Sequence, residues 1–330
     1  MLPPDTALER AEELAERVLP SRAPKRRMLV IVNPYASTVS DRLKNLVVYA
    51  LQGRYSVEAV DTQAQGHATE LCREAATEGY DVVVAFGGDG TVNEAANGLY
   101  GSSTPLTVLP GGSTNVYCRT LGIPEDVVDA TEHLLRMADE FEPRPVDVGM
   151  MNGRCFVASS GIGLDASVVE RVDAHPKLKR RLSEYYFTYA AIATFNRRYL
   201  IRPPKMTIEA GDEAFTGVTA VIQVSDPYTY FASRPIRICR DVEMTDGRLG
   251  MVVLKRATPL EIPTLLGRVF SAKPETVARH RQIESLTGLQ AISVASADGR
   301  PLPVQLDGDH VGDYGAIEYS VVPGGLAVVS

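Results

Sequence analysis

The sequence predicts an α/β domain built on a parallel sheet, followed by a mostly antiparallel β domain. Two changes of pattern and one number carry that prediction. From residue 28 to 138, short runs that are apolar throughout alternate with amphipathic segments, as in a parallel sheet covered by helices on both faces. After the proline-flanked stretch FEPRPVDVG at 141–149, the pattern turns to strand-like pieces joined by Gly, Pro and Asp turns. The length, 330 residues, corresponds to about two domains, and 45% apolar with 23% charged side chains is an ordinary globular composition.

In chain order, TALERAEELAERVL at 6–19 spaces Ala7, Leu8, Ala11, Leu14, Ala15 and Val18 as a helix, with Thr6 and Glu9 as a capping box. SRAPKRR then reads as a linker, which makes the helix a peripheral addition. Next come a strand at 28–32, a helix near 38–51, the strand YSVEAV, a helix at 67–78, a strand at 81–86 and a helix from Thr91. A strand at 105–110 and helices near 113–121 and 126–138 follow. The second half offers RCFVASSG, KMTIEA, GVTAVIQVS, PIRICRDVEM, LGMVVLK, AISVAS and PLPVQLDGD as strands, with helical insertions near 176–197 and 258–271. The division is therefore 1–27 helix and linker, 28–143 α/β domain, 144–313 β domain, and 314–330 C-terminal strands that complete one domain or the other.

Composition excludes several classes. With 34 basic and 41 acidic side chains the net charge is −7, which argues against a broad nucleic-acid surface but leaves a small nucleotide pocket open. Cys72, Cys118, Cys155 and Cys239 form no CxxC or Cys/His cluster, so reduced, buried thiols are expected. No apolar run approaches the length of a membrane span, and the first residues lack the features of a secretory signal; a cytoplasmic protein is expected.

The strongest local signal is DVVVAFGGDGTVNEAANGL at 81–99, a strand that runs through Gly87, Gly88, Asp89, Gly90 and Thr91 into a helix containing Asn93, Glu94 and Asn97. Glycines at a strand-to-helix turn let backbone N–H groups face an anion at the positive end of a helix, and phosphate is the natural ligand. A tight turn without a ligand is the plainer reading. Asp89 beside phosphates makes sense if it holds Mg²⁺ or takes a proton, and otherwise as a turn cap. The first strand lacks a GxGxxG, and no GxxxxGK[ST] occurs. A second glycine turn, TVLPGGSTNVYCRTLG, brings Gly111, Gly112, Ser113, Thr114 and Asn115 to the same sheet edge, where they either bond a nucleotide or cap a helix. Asn33 and Pro34 after the first strand, and Gly66 and His67 at the second helix, open on that edge as well; Asn33 is a candidate for ribose or base, and His67 for a ligand or its own helix cap.

These residues, with VDVGMMNGRCFVASSGIGLDA, Asp246–Gly247 and LDGD at 306–309, resemble the bacterial diacylglycerol kinase and sphingosine kinase superfamily of soluble lipid kinases over 28–330. GGDGT alone also fits NAD kinases; its combination with PGGSTN, GIGLDA and LDGD points to the lipid kinases. The resemblance implies a three-layer, Rossmann-like N-terminal domain with a parallel sheet, a C-terminal β-sandwich, and an active site in the cleft between them. It implies ATP and Mg²⁺ as cofactors, with Asn33, Pro34, His67, Gly87, Gly88, Asp89, Gly90, Thr91, Glu94, Gly112, Ser113, Thr114 and Asn115 on the nucleotide. Asp89 is expected at the metal and phosphates, Gly161, Gly163, Asp165 and Asp307 along the substrate cleft, and Asp246 at a structural metal, a plain β-turn being the other reading of Asp246–Gly247.

Relatives carry LDGE, its Glu being the proposed base toward the lipid hydroxyl; here the equivalent is Asp309, one methylene shorter, and Asp89 is the alternative base. Where many bacterial diacylglycerol kinases read GTxNDFAR, Val116 replaces the Asp, which argues against a substrate range confined to diacylglycerol. The expected reaction is transfer of the γ-phosphate of ATP to diacylglycerol or a related long-chain lipid alcohol. An NAD kinase-like phosphotransferase and a non-catalytic nucleotide-binding regulator are the competing readings.

Residues 171–202 hold Arg171, Lys177, Lys179, Arg180, Arg181, Arg197, Arg198 and Arg202 against Asp173 and Glu184, with Leu178, Leu182, Tyr185, Tyr189, Ile192 and Phe195 at helical steps. That combination suits either transient contact with an anionic membrane carrying the lipid substrate or a core helix with a solvated basic rim. No nucleic-acid partner is expected, and a homodimer stays open.

Overall fold

The structure, a computed structural model, describes residues 4–17, 25–173, 203–231, 233–258, 260–271 and 273–330. The helical insertion read near 176–197 and all but the first three residues of the basic aromatic segment at 171–202 lie outside the described residues. The chain divides into two compact units, Met1–Val146 with Gly324–Ser330, and Asp147–Pro323.

In the first unit, β1 (Arg27–Val32) lies between β2 (Ser56–Asp61) and β3 (Val82–Gly87), β4 (Leu106–Pro110) joins β3, and all of these pairs are parallel. The register aligns Val32 with Phe86 and Gly87 with Pro110, so the three turns after β1, β3 and β4 leave the sheet at one edge. Strands β3 and β4 are buried along their whole length, as their unbroken apolar runs require, while β2 is exposed or half-buried throughout because it is the edge. Helices α2 (Asp41–Gln52), α3 (His67–Glu78), α4 (Asp89–Leu99), α5 (Val116–Thr120) and α6 (Val127–Met137) complete the layers. Ser40 caps α2 through Leu43 N–H, and Asp126 caps α6 through Val128 and Asp129 N–H.

Two of the helix starts that differ from the sequence reading have a clear local cause. Helix α4 begins at Asp89 rather than Thr91: Gly88 (φ −91°, ψ −174°) serves as the N-cap, and the Asp89 carboxylate lies in the first turn, where the helix dipole favours it. Helix α1 (Pro4–Arg17) begins two residues before Thr6, with proline tolerated in the first turn. Its Ala11 and Leu14 are buried, it packs on α2 and α6, and Arg10 pairs with both Asp126 (3.3 Å) and Asp129. The helix is thus bound to the body of the first unit.

The second unit is a sandwich of antiparallel sheets. One sheet runs through β18 (Ala316–Val328), β15 (Ala291–Ser296), β8 (Met206–Ala210) and β9 (Glu213–Gly217), with β5 (Arg144–Met151) paired to β18 and β6 (Arg154–Phe156) paired to β5. The other has the order β14 (Ile283–Leu289), β13 (Leu249–Leu254), β10 (Thr219–Gln223), β7 (Ser159–Gly163), β16 (Leu302–Leu306) and β17 (Asp309–Tyr314). Ile208, Ile292, Val294, Ile317 and Tyr319 from the first meet Ile162, Ile222, Met251, Val253 and Val304 from the second in one core. Helix α7 (Leu164–Asp173) follows β7; a short hairpin, β11 (Thr229–Phe231) and β12 (Arg234–Ile236), and helices α8 (Ile262–Val269) and α9 (Pro274–Ala278) surround a smaller core at Val252, Leu254, Val277 and Ile283. Strand β18 crosses the division of the units: Ala316–Ser320 pair with β15, and Val328 pairs in parallel with Leu106 of β4.

Candidate functional site

In the first unit the two glycine turns are stacked backbone on backbone. Gly111 N–H donates to Gly87 O at 2.8 Å, a Cβ on Gly111 would fall 2.9 Å from Gly87 Cα, and one on Gly112 would fall 2.8 Å from Gly88 Cα. None of Gly87, Gly88, Gly111 and Gly112 has a positive φ. They are glycines because the turns approach so closely that no side chain fits, not because the turns demand left-handed backbone. A Cβ on Gly87 would lie 2.4 Å from Thr91 Oγ1, itself buried and accepting from Asn33 Nδ2 at 3.2 Å.

Several polar side chains expected at a ligand are used to build this edge. Asn33 Oδ1 accepts from Tyr35 N–H (2.9 Å) while its Nδ2 reaches Thr91, so the turn after β1 is tied to the turn after β3. Asn115, in left-handed conformation (φ 49°), accepts from Gly112 N–H (2.8 Å) and donates to Gly112 O (2.9 Å), closing its own loop. Ser113 is exposed and Thr114 half-buried in that loop. The Glu94 carboxylate accepts from Gly66 N–H (2.8 Å) and Ala68 N–H (3.2 Å), satisfying the first turn of α3 from the neighbouring helix. His67 Nδ1 accepts from Gln63 N–H at 3.1 Å, which in the neutral ring places the proton on Nε2.

Asp89 and Gly90 occupy the first turn of α4, both half-buried. Asp89 Oδ1 accepts from Tyr117 N–H at 3.2 Å, which links the first glycine turn to α5. Burial, reinforced by the nearby Asp89 charge, pushes the Cys118 thiol up to about 12, so it remains a neutral packing group. The structure thus joins Asn33, Gly87, Gly88, Asp89, Thr91, Gly112 and Asn115 into one connected edge. Glu94 and His67 serve the start of α3.

Next to Pro34 is a cavity of about 260 Å³ whose walls include Val32, Ser40, Asp41, Lys44 and Asp61. Lys44 Nζ donates to Asp61 Oδ2 at 2.9 Å, which raises the Lys44 pKa above its usual value, burial opposing the shift. Lys44 and Asp61 escaped the sequence reading because neither stands in a glycine motif. The signal available was positional, an acidic residue at the carboxyl end of the second strand and a lysine in the first turn of the preceding helix.

In the second unit Asp307 and Gly308 form the two-residue turn between β16 and β17, both with positive φ (48° and 90°), as a type I′ hairpin requires. The Asp307 carboxylate, only 9% exposed, accepts from Val157 N–H (2.9 Å), Ala158 N–H (2.8 Å) and Ser159 N–H (3.0 Å). It clamps the backbone entering β7. Asp309 begins β17 opposite Leu306 and is half-buried. Gly161 lies inside β7 between Val221 and Gln305, and Gly163 (φ 82°) would bring a Cβ to 2.6 Å from Val218 O, so it too is a steric and conformational necessity. Asp165 is the second residue of α7.

Asp246 is exposed and accepts from Arg248 N–H at 2.9 Å, an Asx turn, while Gly247 N–H donates to the buried Asp147 at 2.6 Å. Among the described residues, no group of three or more His, Cys, Asp or Glu side chains is gathered as metal ligands would be. One hard carboxylate at Asp89 suits Mg²⁺, which is commonly held by one or two carboxylates together with substrate phosphates. Among the described residues no helix is long and apolar enough to cross a membrane.

Comparison with known proteins gives this geometry its context. The family model described as the diacylglycerol kinase catalytic domain matches residues 27–151, and that of the YegS C-terminal NAD kinase beta sandwich-like domain matches residues 158–330. The chain is 30% identical over 213 residues to a diacylglycerol kinase of Bacillus subtilis (strain 168), covering 64% of this chain and 67% of that one. It is 27% identical over 290 residues to a diacylglycerol kinase of Staphylococcus aureus (strain bovine RF122 / ET3-1), covering 84% and 88%. A crystal structure of a diacylglycerol kinase from Bacillus anthracis str. Sterne has the same fold, with a TM-score of 0.69, 24% identity, and coverage of 93% of this chain and 98% of that one. The chain belongs to the diacylglycerol kinase family.

Proposed function

We propose that the protein is an ATP-dependent lipid kinase that transfers the γ-phosphate to the hydroxyl of diacylglycerol or a related long-chain alcohol. The observation that carries the reading is the stacked pair of glycine turns at the carboxyl ends of β3 and β4, with Asp89 in the first turn of α4. The first turn of α4 offers backbone N–H groups at a helix N-terminus to phosphates, and no side chain at Gly87, Gly88, Gly111 or Gly112 obstructs them. Asn33 and Asn115 act by holding the turns in shape. Asp89 supplies the carboxylate for Mg²⁺, which when bound would neutralise charge gathering on the transferred phosphoryl group.

Asp309 is assigned the lipid hydroxyl's proton, by resemblance to the Glu of LDGE. Asp307 positions rather than reacts, since its oxygens hold the backbone at 157–159. A NAD kinase-like transfer uses the same phosphate edge and is the second reading.

A radiolabelled Mg-ATP assay against diacylglycerol, monoacylglycerol, ceramide, sphingosine, undecaprenol and NAD tests the proposal. Label in one or more of the lipids, lost in Asp89→Asn, is expected. Label in NAD alone overturns the lipid acceptor, and label in none overturns the kinase.

A further inference from the structure

Among the described residues of the second unit most apolar side chains are buried, but four large ones on α8, beside it and on the β11–β12 hairpin are not. Leu260 is 88% exposed, Phe270 51%, Leu266 47% and Phe231 39%. Phe231 and Phe270 meet edge to face with centroids 5.4 Å apart, so β11 and the end of α8 share a single apolar surface. Helix α8 is two-sided: Leu265 and Val269, four residues apart, pack into the core, while Leu266 and Phe270, also four apart, face solvent.

Basic residues flank this surface along the chain. Residues 255–281 contain six Lys and Arg against two Glu, in a chain of net charge −7. Lys255 and Arg281 are paired with Glu284 and Glu261. Arg234, directly across the hairpin from Phe231, and Arg256, Lys273 and Arg279 are exposed, and among the described residues none of the four has an ion-pair partner.

We infer that this face of α8 and the β11–β12 hairpin docks on an anionic phospholipid bilayer, with Leu260, Leu266, Phe270 and Phe231 entering the interface and the unpaired cations meeting the headgroups. Exposed apolar side chains with basic neighbours along the chain and across the hairpin match the two attractions that hold a protein at such a surface. A second copy of the chain is the poorer occupant, because a two-fold contact would set these cations against their own copies. The inference deepens the proposed function, giving the enzyme a surface by which it reaches its lipid.

Cosedimentation with phosphatidylcholine vesicles, with and without phosphatidylglycerol, tests it in the full-length protein. Wild type should bind the anionic vesicles. Leu266→Ser/Phe270→Ser should lose tenfold or more of that affinity, and Arg256→Gln/Lys273→Gln about fivefold per charge removed. Thermal unfolding and turnover of a short-chain, water-dispersed diacylglycerol should match wild type in both variants. Wild-type vesicle binding by both variants overturns the docking face, as does absence of binding by the wild type. Loss of a dimer in Leu266→Ser/Phe270→Ser with vesicle binding intact assigns the patch to a second copy and equally overturns it. Turnover of the short-chain lipid is read separately, so the lipid-kinase reading and the docking face fail by different results.

Discussion

The glycine turns of the first unit and the LDGD turn of the second both combine glycine with aspartate, yet their glycines answer different demands. Gly87, Gly88, Gly111 and Gly112 sit in ordinary backbone and are small because two turns press together. Gly308 has open space around it and is glycine because φ is 90°. The aspartates divide as well. Asp307 holds three backbone N–H groups where the chain enters β7, whereas Asp89 lies in a first helical turn, where it accepts from Tyr117 N–H. The same two residue types therefore record close packing in one place and chain reversal in the other, and neither glycine nor aspartate alone marks a ligand.

The largest expected effect follows from Asp307. Asp307→Ala strands three buried N–H groups and forces alanine to φ 48°, and should cost about 3 kcal/mol or more, read by chemical denaturation. A cost under about 1 kcal/mol would remove the clamp from the account.

The contrast between the glycines gives the next test. Gly112→Ala drives a Cβ to within 2.8 Å of Gly88 Cα and should cost about 1–3 kcal/mol while weakening Mg-ATP binding in calorimetry. Gly308→Ala meets nothing within 4 Å and should cost about 1 kcal/mol, with nucleotide affinity unchanged. Equal effects of both substitutions on nucleotide affinity would erase the distinction.

The smallest effect is electrostatic. Lys44 has a folded pKa above its ordinary 10.5 because of its bond to Asp61, so its stabilisation is complete below 10.5 and is lost as pH rises through the folded value. Lys44→Met should lack that alkaline loss; its stability deficit at neutral pH should stay under about 1 kcal/mol, since Asp61 is half exposed.

Much of this fold is written in hydrophobic period. Strands such as MLVIV and DVVVAF have no polar face and can only be central, and the helix at 67–78 shows both its ends, because glycines flank it. The start of α4 was hidden because Asp89 and Gly90 look like loop residues until Gly88 is seen to cap the helix. For the site, the motifs located the turns, but residue type does not tell which polar groups the fold itself consumes. Glu94, Asp307 and the Asn33 amide nitrogen are engaged by partners 26 to 150 residues away, a matter of tertiary approach that local spacing does not encode, whereas Asn115 closes on Gly112 within its own loop. Lys44 and Asp61 were illegible for the converse reason, being joined only when α2 and β2 are placed side by side.

The division of labour within LDGD is the central claim, and turnover of Mg-ATP and diacylglycerol in mixed micelles by Asp309→Asn, measured beside its melting temperature, tests it most directly. The account predicts unchanged melting and a loss of about 10²-fold or more in turnover, the scale of a missing proton acceptor. Near-normal turnover with the fold intact would contradict it.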